Sequence, residues 1–248
     1  MIVTTPVSNS SNAPVVVRLD NVTGSSFDVK VQRMDGVVDP LETPLGIHYV
    51  VIEEGVYNIA EHGVQLEVRK VESTVTDNSS SWVGQPLSYL QSYSAPVVLG
   101  QVMTYNNEAF NQFWCRGASF SDPPAASILN VGKHTFTVSN ALAEPETLGV
   151  IIIEAGTGTI NDKTFHAGVG AETIRGVGDN GNYDYNLPFT INYGVVSQVA
   201  MDGAHGGLAT YKENPRGQSV LRTLIDEDIV FKTDRTHTTE QVAFLVFQ

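Results

Sequence analysis

The chain reads as all-β, built from two to three antiparallel β-sandwich units. Three observations carry that reading. Strand-length runs rich in Val, Ile, Thr, Tyr and Phe alternate with Gly/Pro turn clusters, and amphipathic helical periods are nearly absent. The apolar run Gly149-Val150-Ile151-Ile152-Ile153-Glu154-Ala155-Gly156 is β-branched and closed by glycine, as expected of a strand buried on both faces. The run also has a twin, Tyr49-Val50-Val51-Ile52-Glu53-Glu54-Gly55, and a third copy, Ala243-Phe244-Leu245-Val246-Phe247-Gln248.

Taken in order, the first unit offers strands at 2–7, 15–21, 26–32, 47–53 and 64–72. A turn at Asn21-Val22-Thr23-Gly24 joins the second and third of these. In the third, Asp28, Lys30 and Gln32 alternate with Phe27, Val29 and Val31, which predicts one wet face. An arm follows at 76–94, where Ser79-Ser80-Ser81 is polar but Trp82, Leu87, Tyr89, Leu90 and Tyr93 predict packing. The second unit opens at Pro96-Val97-Val98-Leu99-Gly100-Gln101-Val102 and continues at 111–115, 128–137, 148–154 and 164–175. A second arm spans 176–190. The third unit opens at Gly194-Val195-Val196-Ser197-Gln198-Val199, with Gln198 matched to Gln101, and adds strands at 208–212, 220–225 and 241–247. The expected units are therefore 1–94, 95–190 and a truncated 191–248, in which packed arms lead the units to share a core.

Bulk properties narrow the function classes. The formal net charge is −13, with 14 Lys and Arg against 27 Asp and Glu, which argues against nucleic acid and anionic membrane as partners. The one cysteine, Cys115, rules out an internal disulfide and a zinc–cysteine cluster. No apolar stretch is long enough for a transmembrane helix, and Met1-Ile2-Val3-Thr4-Thr5 lacks the basic and apolar regions of a signal peptide. The expectation is an extracellular module cut from a longer chain, with its signal elsewhere.

Catalytic signatures are weak. Gly176-Val177-Gly178-Asp179-Asn180-Gly181 matches G-x-G-x-x-G, but the following Asn182-Tyr183-Asp184-Tyr185-Asn186-Leu187-Pro188 cannot open the helix a dinucleotide site needs, so a turn is expected. Glu53 and Glu154 recur at equivalent strand ends, which favours a structural role over a glycosidase pair. Metalloprotease and serine-hydrolase motifs do not occur, and Cys115 reads as a buried thiol. No enzyme is expected.

Two oxygen-rich clusters suit calcium: Asp226-Glu227-Asp228, in which Asp226 and Asp228 share a face, and the loop of Asp179, Asn180, Asn182 and Asp184. Calcium is the one cofactor considered. For ligand contact, His205 lies in the Gly-rich stretch Asp202-Gly203-Ala204-His205-Gly206-Gly207, and His237 follows Asp234 and Arg235. The loops after the Gln101 and Gln198 strands are the expected sites. One offers Tyr105, Asn106, Asn107, Trp114 and Arg116. The other offers Asp202, His205, Asp234, Arg235 and His237, with Tyr211 as an aromatic neighbour.

The order Pro-Val-Val strand, Asn21-Val22-Thr23 loop, Ser26-Phe27-Asp28-Val29 and closing Tyr49-Val50-Val51-Ile52 resembles the H-type lectin domain. That resemblance implies an antiparallel sandwich, N-acetylgalactosamine binding and trimeric assembly. Separately, Asp202–Gly207, Ile225–Asp228 and the stretch from Asp234 to Phe244, with His48–Gly55 and Pro96–Val102, are similar to repeats of large secreted bacterial proteins, a family of unestablished function. Together these imply a non-catalytic extracellular carbohydrate-binding or adhesion module. The alternative is a structural subunit of a fibre, sheath or surface layer. The partners are then a glycan or copies of the chain itself, in a homo-oligomer or as part of a larger chain.

Overall fold

A computed structural model describes residues 1–8, 13–33, 45–78, 81–136, 144–181, 183–203, 207–227, 229 and 233–248. Within them the chain is all-β, in small, mostly antiparallel sheets. The first unit has an opening strand β1 (Ile2–Pro6), a hairpin of β2 (Val15–Asp20) and β3 (Asp28–Arg33), and a closing strand β4 (Ile47–Val51). The second repeats the pattern as β9 (Pro96–Val102), β10 (Gln112–Arg116), β11 (Asn130–His134) and β12 (Glu146–Glu154). The third does so as β16 (Tyr193–Gln198), β17 (Leu208–Tyr211), β18 (Val220–Asp226) and β19 (Val242–Phe247). Each opening strand pairs antiparallel with its own closing strand.

The connections between units hold the structure's main device. After β4 come β5 (Gly55–Tyr57), the short helix α1 (Ile59–His62) and β6 (Leu66–Ser73), and β6 pairs with β12 of the next unit. After β12 come β13 (Gly156–Ile160) and β14 (Lys163–Val169), and β14 pairs with β19 of the next unit. The arms then extend the other layer. Strands β7 (Thr76–Asp77) and β8 (Gln85–Pro86) add to β11, and β15 (Asp184–Asn186) adds to β18. The first and second units thus each donate a hairpin and an arm to the next.

The register makes the equivalence explicit. Ile151 faces Leu99 on one side and Val68 on the other, and Leu245 faces Val195 and Ala167 in the same way. Val50 faces Val3. By that register Gln101 lies two residues past Leu99 but Gln198 three past Val195, so the two glutamines are not ladder equivalents. Gln101 accepts from Thr4 and donates to Val17 O, whereas Gln198 donates to Ala200 O.

The opening strands meet one another. Thr4 bonds to Gln101, Gly100 N–H donates to Ser197 Oγ, and Val196 N–H donates to Thr5 Oγ1. A cavity of about 40 Å³ lies between them. The ring closes through the hairpins: Arg18 and Val17 of β2 hold the second unit. Cys115 O accepts from Ala200 of the third, and Tyr211 O accepts from Ser8 of the first. The sheets stand around this meeting point in a propeller-like arrangement.

Apolar burial explains why the strands sit where they do. β12 is buried on both faces, with Val150, Ile151, Ile152 and Ile153 all at 0% exposure. In β19, Ala243, Leu245 and Phe247 join the same central core, while Val242, Phe244 and Val246 turn to a second core with Tyr185, Leu221, Ile225 and Tyr211. The twin strand β4 departs from expectation. Val50 is buried, but Tyr49 and Val51 are 55% and 57% exposed, because among the described residues no hairpin pairs with the far edge of β4. The expected wet/dry alternation of β3 fails for the same reason: Val29 and Val31 are exposed as well as Asp28 and Lys30.

Candidate functional site

The loops flanking β16 and β19 converge on one buried carboxylate, Glu240. Its oxygens accept the backbone N–H groups of Asp202 (2.9 Å) and Gly203 (3.0 Å) and face His237 Nε2 at 2.6 Å. The other ring nitrogen, Nδ1, meets Glu227. A glycine is required at position 203, because a Cβ there would run into the His237 ring. Around this core, Arg235 forms a two-pronged pair with Asp226 (2.8 and 2.7 Å). Asp179 accepts from Gly176 N–H and His237 N–H and pairs with Arg175 at 3.3 Å.

The structure therefore gathers Asp179, Asp202, Asp226, Arg235 and His237 from four separate stretches of sequence. Asp234 caps the same loop, accepting from Thr236 N–H and Oγ1. His205 and Asp228 lie outside the described residues. Asp184 stands elsewhere, paired with Arg222 at 3.3 Å. Among the described residues no group of three or more His, Cys, Asp or Glu side chains could hold a metal ion. The cause is visible at Asp226 and Asp179, whose oxygens are already engaged by guanidinium and backbone donors. The G-x-G-x-x-G stretch is a 3₁₀ turn over Val177–Asp179.

The electrostatics favour a clamp. Burial pulls His237 towards the neutral form, but its bonds to Glu227 and Glu240 outweigh burial and hold the pKa at about 9. Asp202 is raised to about 6 by burial and by Glu240. A histidine whose folded pKa exceeds the unfolded value stabilises fully below about pH 6.5, and the contribution is lost as pH rises through about 9. The full effect is about 3 kcal/mol. Asp202, and Asp77, which burial raises to about 7, titrate at or below the start of that window. Both are common to parent and variant, so the part of the fall that a His237 substitution removes reports His237. The expected result is a melting temperature that falls between pH 7 and 9.5, with the fall flattened in His237→Gln. Calorimetry across that range checks it.

The second expected loop is organised in the same way. Glu146 stands five residues before Ile151, as Glu240 stands five before Leu245. It accepts Asn106 N–H (3.2 Å), Asn107 N–H (2.9 Å) and Thr104 Oγ1 (2.5 Å). Its cation is Arg18 of the first unit, at 3.3 Å, with both side chains at 0% exposure. Tyr105 lies under Arg18 and Lys30, 4.6 and 3.9 Å from its ring centroid. Trp114 does not offer the expected aromatic platform. It is fully buried, and its indole N–H donates to Asp77 at 2.8 Å. Arg116 is spent on the carbonyls of Trp82 and Gly117. Tyr211 is buried too. Burial also pushes the Cys115 thiol up, which leaves it unreactive.

A larger hollow lies elsewhere, beside the open edge of β4. It measures about 710 Å³ and is lined by Tyr49, Val51, Tyr57, His62, Tyr193 and Phe247 among others. Nothing in sequence pattern marks it, because its residues come from three units and its opening follows from a pairing that β4 lacks among the described residues.

The chain is similar to halomucin. The halomucin of Haloquadratum walsbyi is 24% identical over 273 residues, an alignment that takes in 100% of this chain and 3% of that protein. The chain thus corresponds to a small part of that relative's length. No protein-family description and no solved structure matches it. No helix among the described residues is long and apolar enough to cross a membrane.

Proposed function

We infer that the chain is a non-catalytic structural module of a large extracellular surface protein. One observation carries the reading: the hairpins of the first and second units complete the sheets of the second and third, so the module is interlocked rather than strung as beads. Interlocking suits a chain that must hold its shape under load in a fibre, sheath or surface layer. The similarity to a short stretch of halomucin supports placement at a cell surface. The polar clusters support the same reading, because Glu146 and Glu240 direct their bonds inward to backbone and partner cations. Each unit then reads as an H-type-lectin-like β-sandwich put to structural use. Two layers pack through Val196, Phe244, Leu221 and Ile225 in the third unit.

A carbohydrate-binding reading draws on the hollow beside β4, where Tyr49, Tyr57 and Tyr193 stand with Glu61, His62 and Asn161. Glycan arrays probed with the intact chain separate the two. The structural reading predicts no saturable binding across neutral and acidic glycans. Saturable binding that Asp202→Ala, Arg235→Ala or Tyr49→Ala abolishes would return the chain to the lectins.

A further inference from the structure

Two of the three closing strands carry a donated hairpin on the far edge, and two of the three hairpins carry a donated arm strand. β12 has β6 and β11 has β7 and β8, while β19 has β14 and β18 has β15. In the first unit β4 pairs with β1 and β3 with β2, and among the described residues neither has a second neighbour. The vacancy is matched in the side chains. Tyr49 and Val51 are 55% and 57% exposed, whereas their equivalents Phe244 and Val246 are 5% and 0%. On the other layer Val29 and Val31 are 44% and 39% exposed. These four apolar residues lie on the two open edges.

We propose that the open edges of β3 and β4 together form an acceptor for a hairpin-and-arm segment donated by a neighbouring module of the same architecture. The donor is specified by the two copies already in the chain, residues 55–86 and 156–186. Its second hairpin strand runs antiparallel to β4, facing Val50 as Val68 faces Ile151 and Ala167 faces Leu245. Its arm strand lies along β3 as β15 lies along β18. Unpaired backbone N–H and C=O groups supply the binding energy, and Tyr49, Val51, Val29 and Val31 supply apolar burial. The approach is open, because the hollow of about 710 Å³ lies against Tyr49, Val50 and Val51. Phe247, the last residue of β19, lines that same hollow. The proposal rests on the structural-module reading and names its partner.

Hydrogen exchange on the full 248-residue chain tests it, with a peptide of residues 155–187 added in excess. The expected result is one peptide bound per chain and exchange slowed at least about tenfold at amides of 47–51 and 28–33. Val51→Lys and Val31→Lys should each weaken binding at least about tenfold, through a charge set into the new apolar contact. A chain carrying the same segment fused after Gln248 should show that protection at any protein concentration. No protection of either strand, in trans at millimolar peptide or in the fusion, overturns the proposal. So does protection that appears only as the chain's own concentration rises, since that assigns the edge to self-pairing, and so does protection conferred by a glycan instead of the peptide. The glycan arrays judge the structural reading separately.

Discussion

Ile152→Ala should cost about 2–5 kcal/mol, and Ile152→Asp should abolish the fold. Ile152 is completely buried at the middle of β12, between Val98 of β9 and Glu67 of β6. Removing its three outer carbons loses their transfer energy and leaves a cavity that a strand held on both sides cannot close. A carboxylate there would be buried without a cation. Chemical denaturation with a shared slope measures the first substitution. Retention of native circular dichroism and melting in the second would refute the burial of β12.

Arg18→Ala should cost about 3–5 kcal/mol, because it strands Glu146 as an unpaired buried charge. Arg18 also donates to the carbonyls of Asn107 and Ala109, so the loop after β9 loses two more ties to the first unit and keeps those from Gln32 and Lys30. Glu146→Gln should cost less, since its amide oxygen still accepts from Asn107 N–H in place of Oε1 and Arg18 keeps the carbonyls of Asn107 and Ala109 and the Gln32 amide oxygen, while Thr104 and Asn106 lose their acceptor at Oε2. Combining Arg18→Met with Glu146→Gln should therefore recover part of the loss from Arg18→Ala. A double substitution as unstable as the sum of the single ones would show that the pair is not coupled.

Much of the fold is legible in the sequence where the signal is local and apolar. The β-branched run at 150–153 and its copy at 243–247 mark strands that are buried on both faces. The sticky arm at 82–93 packs as Tyr93, Tyr89 and Leu87 suggest. The strands at 55–57 and 156–160 escape notice for a physical reason. In Gly156-Thr157-Gly158-Thr159-Ile160 two of the three inward positions are glycines, with Gly158 lying on the Phe165 ring and Ile160 the third, so no apolar alternation marks the strand. The exchange of hairpins is equally silent, because a strand's own residues do not specify whether its partner belongs to the same unit. The exposure of Tyr49 follows from that long-range pairing: its local pattern equals that of Val150, and only the neighbouring strand differs.

The candidate site shows the same division. Residue type singles out His237, Arg235 and Asp226, but not what they face: Arg235 meets Asp226, while His237 meets Glu227 from the strand end before it and Glu240 three residues ahead. The choice between ligand contact and internal clamp is set by Glu227 and Glu240. Glu146 and Glu240 escape attention as isolated acids. Their shared spacing of five residues before Ile151 and Leu245 is the one sequence signal that could have marked them as a repeated device.

The central claim is that hairpin exchange makes the three units one cooperative body. Native-state hydrogen exchange on Ile152→Ala tests it most directly. The destabilisation should appear equally at the slowest amides of β6, β12, β14 and β19, strands assigned by sequence to three different units. A loss of protection confined to residues 95–190, with β6 and β19 unchanged, would contradict it.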